Sequence, residues 1–275
     1  MTIKSQRLEV FVATKGHAFQ RDAFETMLRA IGVEPTFVDQ PGAAMLMNPE
    51  ALRGFDAILL YDMPGMNFRA PMESRPEPVP PPPALVAGFE ALLAEGKGIV
   101  ALHHALAGWP GWPGYGEALG GAFLYRPGRI RGEDRPSSGY VADVRYQIRA
   151  ATTHPVLDGV PLPFELEDEP YLHDIFHDEI TPLLLREPVI EATRFQSACH
   201  AVRRIPEDRR ADWQPPVPSP VIGWAKAAHN SPLVYLQPGD GPQTYAHPGY
   251  RQLLGNALRW VASPDARDWV REQRR

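Results

Sequence analysis

The sequence predicts an α/β fold, a three-layer sandwich with a mostly parallel sheet and additional antiparallel strands. Three observations predict it. Apolar runs of strand length alternate with amphipathic helical patterns over about the first 120 residues, which is typical of βαβ units with right-handed crossovers. The early runs are apolar throughout, as in strands buried on both faces of a parallel sheet. Later segments alternate between polar and apolar residues, which indicates antiparallel strands with one solvated face.

The strands are assigned from these patterns in chain order. The buried runs are Leu8–Ala13, Asp56–Tyr61 and Gly98–His103, with Val33–Val38 as a fourth candidate. Tyr140–Arg149 alternates loosely and is interpreted as an antiparallel edge strand, whereas Phe164–Glu169 alternates strictly. Near the end of the chain, Pro220–Trp224 and Leu233–Gln237 are predicted to pair with each other.

The helices are assigned from apolar residues at helical spacing. The stripes consist of Phe24, Met27, Leu28 and Ile31, then Leu85, Phe89, Leu92 and Leu93, and finally Tyr250, Leu253, Leu254, Ala257, Leu258 and Val261. Gly32 and Gly96 follow the first two stripes and are expected to end those helices.

Composition limits the classes of function. The 275 residues include 28 Lys+Arg and 33 Asp+Glu, a net charge of −5 without basic blocks, so neither nucleic-acid nor anionic-membrane binding is expected. No apolar stretch reaches the roughly 18 residues of a membrane span, and no signal sequence is recognisable, so we expect a cytoplasmic protein. A single cysteine, Cys199, excludes an internal disulfide framework and a cysteine-based zinc cluster. We expect one domain, residues 1–275.

Proline is unusually frequent and unevenly placed. Of 31 prolines, eight lie between Pro64 and Pro83 and five between Pro206 and Pro220. Because proline lacks an N–H and clashes with a preceding helical turn, these tracts are predicted to be ordered loops laid over the core. The first tract is expected to shape a ligand cleft or a contact between subunits, so a homo-oligomer is one expectation.

Polar side chains follow several predicted strands at their carboxyl ends, where open α/β sheets bind ligands. His17 follows the predicted strand Leu8–Ala13. His103 ends the predicted strand Gly98–His103, and His104 comes next, just before a segment that contains Trp109. Each of these residues also has a purely structural interpretation. A tryptophan flanked by glycines suits either a loop anchor or a sugar-stacking wall.

A second group of polar residues follows later strands. The strict alternation of Phe164–Glu169 carries Asp168 inward with the apolar face, and Pro170 ends the strand beside Glu169. Asp240 and His247 lie around the last strand-to-helix loop. Two close carboxylates suit acid–base chemistry or a metal, or they are a solvated strand end. The spacing of His173 and His177 is interpreted as a solvent-facing pair. No phosphate-loop, dinucleotide or serine-hydrolase motif occurs.

Several motifs in the same order resemble the trehalose-utilisation, or ThuA-like, family of the class I glutamine-amidotransferase-like superfamily. The matching segments are GKGIVALHHALAGWPGWPGYGEALGGAF, THPVLDGVP, FELEDEPYLHDIF, SPVIGWAKAAHNSPLVYLQPGD and HPGYRQLLGNALRWVASP. The resemblance implies a flavodoxin-like sandwich and identifies His103 as the family's histidine and Asp168, Glu169 and Tyr171 as its acidic motif. Since amidotransferases carry a nucleophilic cysteine at the position of His103, the resemblance argues against glutamine hydrolysis.

The resemblance and the residues together predict a protein of carbohydrate utilisation, an enzyme that acts on a disaccharide-derived or oxidised (keto) sugar. His103, Glu169 and Asp168 are the predicted catalytic residues. The predicted substrate-binding residues are His17, His104, Trp109, Tyr171, Asp240 and His247. The family often carries Gly-His where this chain has Gly239-Asp240, so Asp240 or His247 is expected to take over that role.

Two alternatives stay open at this point. One is a metal-assisted hydrolase, lyase or isomerase, in which histidine and carboxylates hold a divalent ion. The sequence implies no cofactor firmly, although it leaves a divalent metal ion open. The other is a non-catalytic sugar-binding or scaffold protein that keeps the pocket without proton transfer.

Overall fold

A nine-stranded mixed sheet runs through the protein, and seven of its strands point in one direction. The structure is a computed structural model that describes residues 7–206 and 212–274. The strands are β1 (Leu8–Lys15), β2 (Val33–Asp39), β3 (Ala57–Asp62), β4 (Gly98–Leu102), β5 (Val144–Ala150), β6 (Phe164–Asp168), β7 (Thr181–Glu187), β8 (Val221–Ala228) and β9 (Ser231–Leu236).

The sheet consists of a parallel and an antiparallel half that share β9. The full order is β6-β5-β7-β8-β9-β4-β3-β1-β2. The strands from β9 to β2 pair in parallel, and their order, β2-β1-β3-β4-β9, is the flavodoxin-like 2-1-3-4-5 arrangement. From β9 to β6 every pairing is antiparallel. The predicted fold class is therefore confirmed.

Helices cover both faces of the sheet. They are α1 (Arg21–Ala30), α2 (Gly42–Leu46), α3 (Pro83–Glu95), α4 (Pro113–Leu119), α5 (Ala198–Val202), α6 (Pro242–Ala246), α7 (Pro248–Val261) and α8 (Pro264–Gln273), with 3₁₀ turns at His103–Ala107, Pro155–Leu157 and Ala192–Arg194. Buried side chains of α1, α6, α7 and α8 join one core, and those of α2, α3 and α4 join the other. The apolar stripes of the sequence form these two cores.

Short paired strands decorate the carboxyl edge and the antiparallel half. Their pairs are Met66–Asn67 with Glu77–Pro78, Gly121–Ala122 with Asp174–Ile175, Gly128–Ile130 with Glu133–Arg135, and Gly139–Tyr140 with both Tyr171–Leu172 and Gln196–Ser197. None of the helices in the described ranges has the length and apolar character that a membrane crossing requires.

Three details of the sequence interpretation are corrected. The strand within Tyr140–Arg149 is antiparallel but not at the edge, since β5 lies between β6 and β7. Strand β7 was missed because its leucines do not alternate with polar residues; Leu183 and Leu184 are both fully buried. His173 is also buried rather than solvent-facing.

The two proline tracts are largely loops, as expected. The first contains the short Met66–Asn67 and Glu77–Pro78 pair and ends where Pro83 begins α3. In the second tract, residues 207–211 lie outside the described residues. Beyond them, the Trp213 indole donates a hydrogen bond to the carbonyl of Ser137 (2.9 Å), which ties the tract to the body of the protein.

Candidate active site

The carboxyl end of β4 turns sharply at His103 into a 3₁₀ helix. The φ angle of His103 is 47°, in the left-handed region that histidine seldom adopts. Its carbonyl accepts a hydrogen bond from the Tyr235 hydroxyl (3.0 Å), and the residue is fully buried. Backbone strain of this kind costs about 1–3 kcal/mol and is concentrated at functional sites. The turn thus fixes one histidine at the carboxyl edge of the parallel sheet.

Among the described residues, four polar groups lie within 3.4 Å of the ring nitrogens of His103. Its Nδ1 donates to the carbonyl of Gln237 (2.8 Å), and its Nε2 lies 2.8 Å from the Tyr171 hydroxyl. The same Nε2 lies 3.4 Å from Oε2 of Glu169 and 3.4 Å from Oδ1 of Asp240. The Tyr171 ring also stacks on the imidazole, with 4.5 Å between ring centroids. The structure therefore brings four of the predicted residues into one cluster.

The surroundings of His103 favour its protonated form. Burial alone would lower the pKa of the imidazole, but its hydrogen bonds with Asp240 and Glu169 and the nearby charge of Asp168 raise that pKa to about 10. In return, the hydrogen bond with His103 lowers the pKa of the Asp240 carboxyl. At neutral pH the cluster is an imidazolium shared by two carboxylates. His103 is consequently suited to donating a proton.

Asp168 supports this cluster from behind rather than facing a ligand. It is almost fully buried, and it accepts hydrogen bonds from the backbone N–H groups of Glu169 (2.7 Å), Gly239 (2.8 Å) and Asp240 (3.1 Å) and from the Thr244 hydroxyl (2.7 Å). Since both oxygens are occupied, we assign Asp168 a positioning role instead of the predicted catalytic one. It fixes the two segments that carry Glu169 and Asp240.

The loop after β9 is further held by tyrosine hydroxyls. Tyr61 donates to the carbonyl of Gly239 (2.6 Å), Tyr245 to that of Asp240 (3.1 Å) and Tyr250 to that of Pro238 (3.1 Å). Gly239 has a φ of +142°, and a Cβ added there would lie 2.7 Å from the Tyr250 hydroxyl oxygen. Only glycine fits this position, which places Asp240 next to His103.

Gln237, which sequence reasoning did not single out, links the cluster to the antiparallel half. Besides accepting from His103, it accepts through Oε1 from the Tyr171 N–H (3.1 Å) and from Nη1 of the buried Arg186 (3.1 Å). Its Nε2 donates to Nε2 of His173 (3.1 Å). Burial lowers the pKa of His173 to about 4, so this histidine is a neutral acceptor. No motif marks Gln237, because its role arises from where β9 ends.

Two of the other three predicted histidines, His17 and His104, lie as a stacked pair beside His103. His17 stacks on His104 with 4.5 Å between ring centroids, and its Nδ1 donates to the carbonyl of Ala18 (2.9 Å). His104 is buried and donates through Nε2 to the carbonyl of Tyr61 (3.1 Å). Burial lowers the pKa of both imidazoles. His17 is half-buried and borders the cavity, whereas His104 supports it from below.

A cavity of about 340 Å³ opens in front of the cluster. His17 and Glu169 form its polar side, and most of the remaining wall is aromatic: Phe68, Phe123, Tyr125, Tyr140 and Tyr171. This volume lies at the lower end of the roughly 300–1,000 Å³ of small-molecule sites. Tyr171 was predicted as a substrate-binding residue, but the other four aromatic residues of the wall were not, because they come from loops distant in sequence.

Two predicted substrate-binding residues lie elsewhere. Trp109 lines a separate cavity of about 300 Å³ together with Trp112, on the far side of Phe123. His247 caps α7, where its Nδ1 accepts from the Gly249 N–H (3.1 Å), and it stacks on Phe164. Neither contacts the His103 cluster. Of the two replacements expected for the family's late histidine, Asp240 is the one that lies in the cluster.

Comparison with known proteins agrees with the architecture. The family model described as trehalose utilisation, ThuA, matches residues 7–261. A ThuA-like protein from Parabacteroides merdae has 14% identity and a TM-score of 0.64, covering 94% of this chain and 90% of its own. One from Bacteroides uniformis has 18% identity and a TM-score of 0.60, covering 94% and 92%.

A glutamine amidotransferase from Thermotoga maritima is also similar, with 11% identity and a TM-score of 0.49, covering 94% of this chain and 99% of its own. No curated protein matches the sequence. The family match extends from the first strand to the end of α7 and so includes every element that builds the His103 cluster. The chain belongs to the ThuA family of trehalose-utilisation proteins.

Proposed function

We propose that this protein is an enzyme of carbohydrate utilisation that transfers protons on an oxidised (keto) sugar derived from a disaccharide. The observation that carries the proposal is the position of the His103 ring, whose Nε2 lies 3.4 Å from both the Glu169 and the Asp240 carboxyl groups. An acid and a base at one place are what proton transfer requires. The family match supports the carbohydrate role.

The cavity supports a sugar as the ligand. Aromatic rings pack against the apolar faces of a pyranose ring, and the imidazole and carboxylate edge meets its hydroxyls. No lysine or arginine lines this cavity among the described residues, so a neutral sugar fits better than a phosphorylated one.

The proposed step uses Glu169 as the base and His103 as the acid. Glu169 removes the proton from the carbon next to the sugar carbonyl, and the electrons of that C–H bond form a carbon–carbon double bond. The carbonyl oxygen takes a proton from the Tyr171 hydroxyl, which lines the cavity, and Nε2 of His103 (2.8 Å away) returns a proton to that hydroxyl. The products of this step are an enediol, a neutral imidazole and a protonated Glu169. Asp240 keeps the imidazole charged before the step and so favours the return of its proton afterwards.

Binding and turnover are tested with trehalose oxidised at one ring hydroxyl, with trehalose itself as the reference sugar. We expect the keto sugar to bind wild type, measured by calorimetry, and to be converted, measured by NMR of the sugar. Glu169→Gln should still bind but lose conversion by at least about 100-fold, since general-base catalysis contributes roughly 10²–10⁴-fold.

Two results would contradict this proposal. Full conversion by a folded His103→Asn protein would remove the acid from the mechanism. Equal binding of the keto sugar by wild type and Glu169→Gln, with no product from either, would favour a non-catalytic sugar-binding protein.

A further inference from the structure

We propose that His17, Glu169 and Asp240 form a binding site for one first-row divalent cation beside the sugar cavity, which His17 and Glu169 line. The three residues come from three separate segments, the loop after β1, the end of β6 and the loop after β9. One ligand atom from each lies within 4.8 Å of the other two. One imidazole with two carboxylates is a donor set that suits Mn²⁺ and Zn²⁺.

The spacing is somewhat wider than an ion needs. Three ligand atoms at about 2.1 Å from one ion lie about 3.0–3.6 Å apart, so a pair at the 4.8 Å limit would close by roughly 1–2 Å on binding. Glu169 and Asp240 are partly exposed, with 16% and 33% of their side-chain areas accessible, which leaves room for such a movement.

The orientation of His17 provides a second argument. Its Nδ1–H is donated to the carbonyl of Ala18, so the lone pair is on Nε2. Histidines that bind metals commonly donate their other ring nitrogen to a carbonyl in this way, which fixes the tautomer and the ring plane. Stacking on the buried His104 holds the same ring from one face.

The charges around the site provide a third argument. His103 contacts Oε2 of Glu169 and Oδ1 of Asp240, so each carboxylate keeps its second oxygen for another ligand. Among the described residues, neither carboxylate has a lysine or arginine within 4.0 Å. A cation bound by the two second oxygens would therefore neutralise carboxylate charge that no lysine or arginine compensates.

Three protein ligands leave coordination positions open toward the cavity. A carbonyl oxygen and its neighbouring hydroxyl on a sugar ring are hard oxygen ligands at a suitable spacing for these positions. Only this use of the ion rests on the proposed function, because the binding of the ion itself requires no sugar.

The test is a titration of the apo protein with Mn²⁺, followed by the loss of the free-ion EPR signal, and a parallel calorimetric titration with Zn²⁺. We expect one ion per chain, with affinity weakened at least tenfold in His17→Ala and in Asp240→Asn. His177→Ala, which removes an exposed histidine outside the site, is the matched control and should bind as wild type does. Circular dichroism verifies that each variant is folded.

The absence of stoichiometric binding of either ion by wild type would overturn the proposal. So would equal affinity in wild type, His17→Ala and Asp240→Asn. If either variant fails to fold, Asp240→Ser and His17→Gln repeat the comparison. Conversion of the keto sugar without any bound ion would leave the proposed function intact while removing the ion from it, so the two proposals fail separately.

Discussion

Two carboxylates and a backbone carbonyl surround the His103 imidazole, so the proton on this ring contributes to folding as well as to chemistry. The folded protein holds it with a pKa of about 10, against about 6.5 in an unfolded chain. The folded state therefore binds the proton more tightly. The stabilisation is complete below about pH 6.5 and is lost as pH rises toward 10.

The first prediction concerns this pH dependence. Between pH 7 and pH 10, the free energy of unfolding of wild type should fall by up to about 1.4 kcal/mol per pH unit because of His103. The fall should be much smaller in His103→Asn, because asparagine tolerates the left-handed backbone and carries no proton. Urea unfolding at a series of pH values measures both curves.

His229→Asn is the matched control for this prediction. His229 also has a positive φ, of 53°, but it lies exposed in the turn between β8 and β9. Its variant should keep the pH dependence of wild type. Parallel curves for wild type and His103→Asn would show that His103 is not held in its charged form.

At the residue scale, the sequence was most informative where a side chain follows directly from a strand end. His103, Glu169 and Asp240 were predicted on that ground, and the structure places them in contact. Gln237 and Tyr125 were not predicted, because their roles depend on which distant segments fold against them. Trp109 was expected in the site because of its glycine-rich surroundings, but local composition does not determine which side of Phe123 a loop covers.

At the scale of elements, the loop between β9 and α6 is the part that positions Asp240. A Gly239→Ala substitution should destabilise the protein by about 1–3 kcal/mol, because alanine at a φ of +142° is strained and its Cβ would lie 2.7 Å from the Tyr250 hydroxyl oxygen. It should also weaken keto-sugar binding, because Asp240 moves with the loop. Thermal unfolding and calorimetry measure the two effects.

Gly159, which lies outside this loop, is the control for the crowding of a Cβ at Gly239. It also has a positive φ, of +67°, but a Cβ added there meets nothing within 4 Å. Gly159→Ala should therefore cost only the backbone strain and leave sugar binding unchanged. Equal effects of the two substitutions on sugar binding would contradict the positioning role of the loop.

The elements themselves were predictable to different degrees. Helices with a clear apolar stripe, such as α1 and α7, and fully apolar parallel strands, such as β3, followed directly from the pattern. Strand β7 did not, because an antiparallel strand buried on both faces shows no alternation. The pairing of β5 with two neighbours depends on long-range contacts that no local pattern contains.

At the scale of the whole molecule, two cavities lie on either side of Phe123, and only one faces the His103 cluster. Phe68→Leu, in the wall of the His103 cavity, should weaken keto-sugar binding roughly 2- to 10-fold, in line with the about 0.5–1.5 kcal/mol of an aromatic contact. Trp112→Phe, in the other cavity, should leave it unchanged. Calorimetric titration of both variants makes the comparison.

The opposite result, weaker binding in Trp112→Phe alone, would indicate that the sugar binds in the cavity lined by Trp109 and Trp112.

A homo-oligomer formed through the proline-rich loop Pro64–Pro83 stays a prediction. Light scattering of the full chain measures the molar mass and therefore the number of chains in the oligomer.

Hydrogen–deuterium exchange at the keto sugar tests directly whether His103 and Glu169 transfer protons. Trehalose oxidised at one ring hydroxyl is incubated with the protein in D₂O, and proton NMR follows the signal of the carbon-bound hydrogen next to the carbonyl. We predict that wild type exchanges this hydrogen for deuterium, and that His103→Asn and Glu169→Gln slow the exchange at least about 100-fold. Exchange at the rate of the protein-free control, or at the same rate in wild type and both variants, would contradict proton transfer by His103 and Glu169.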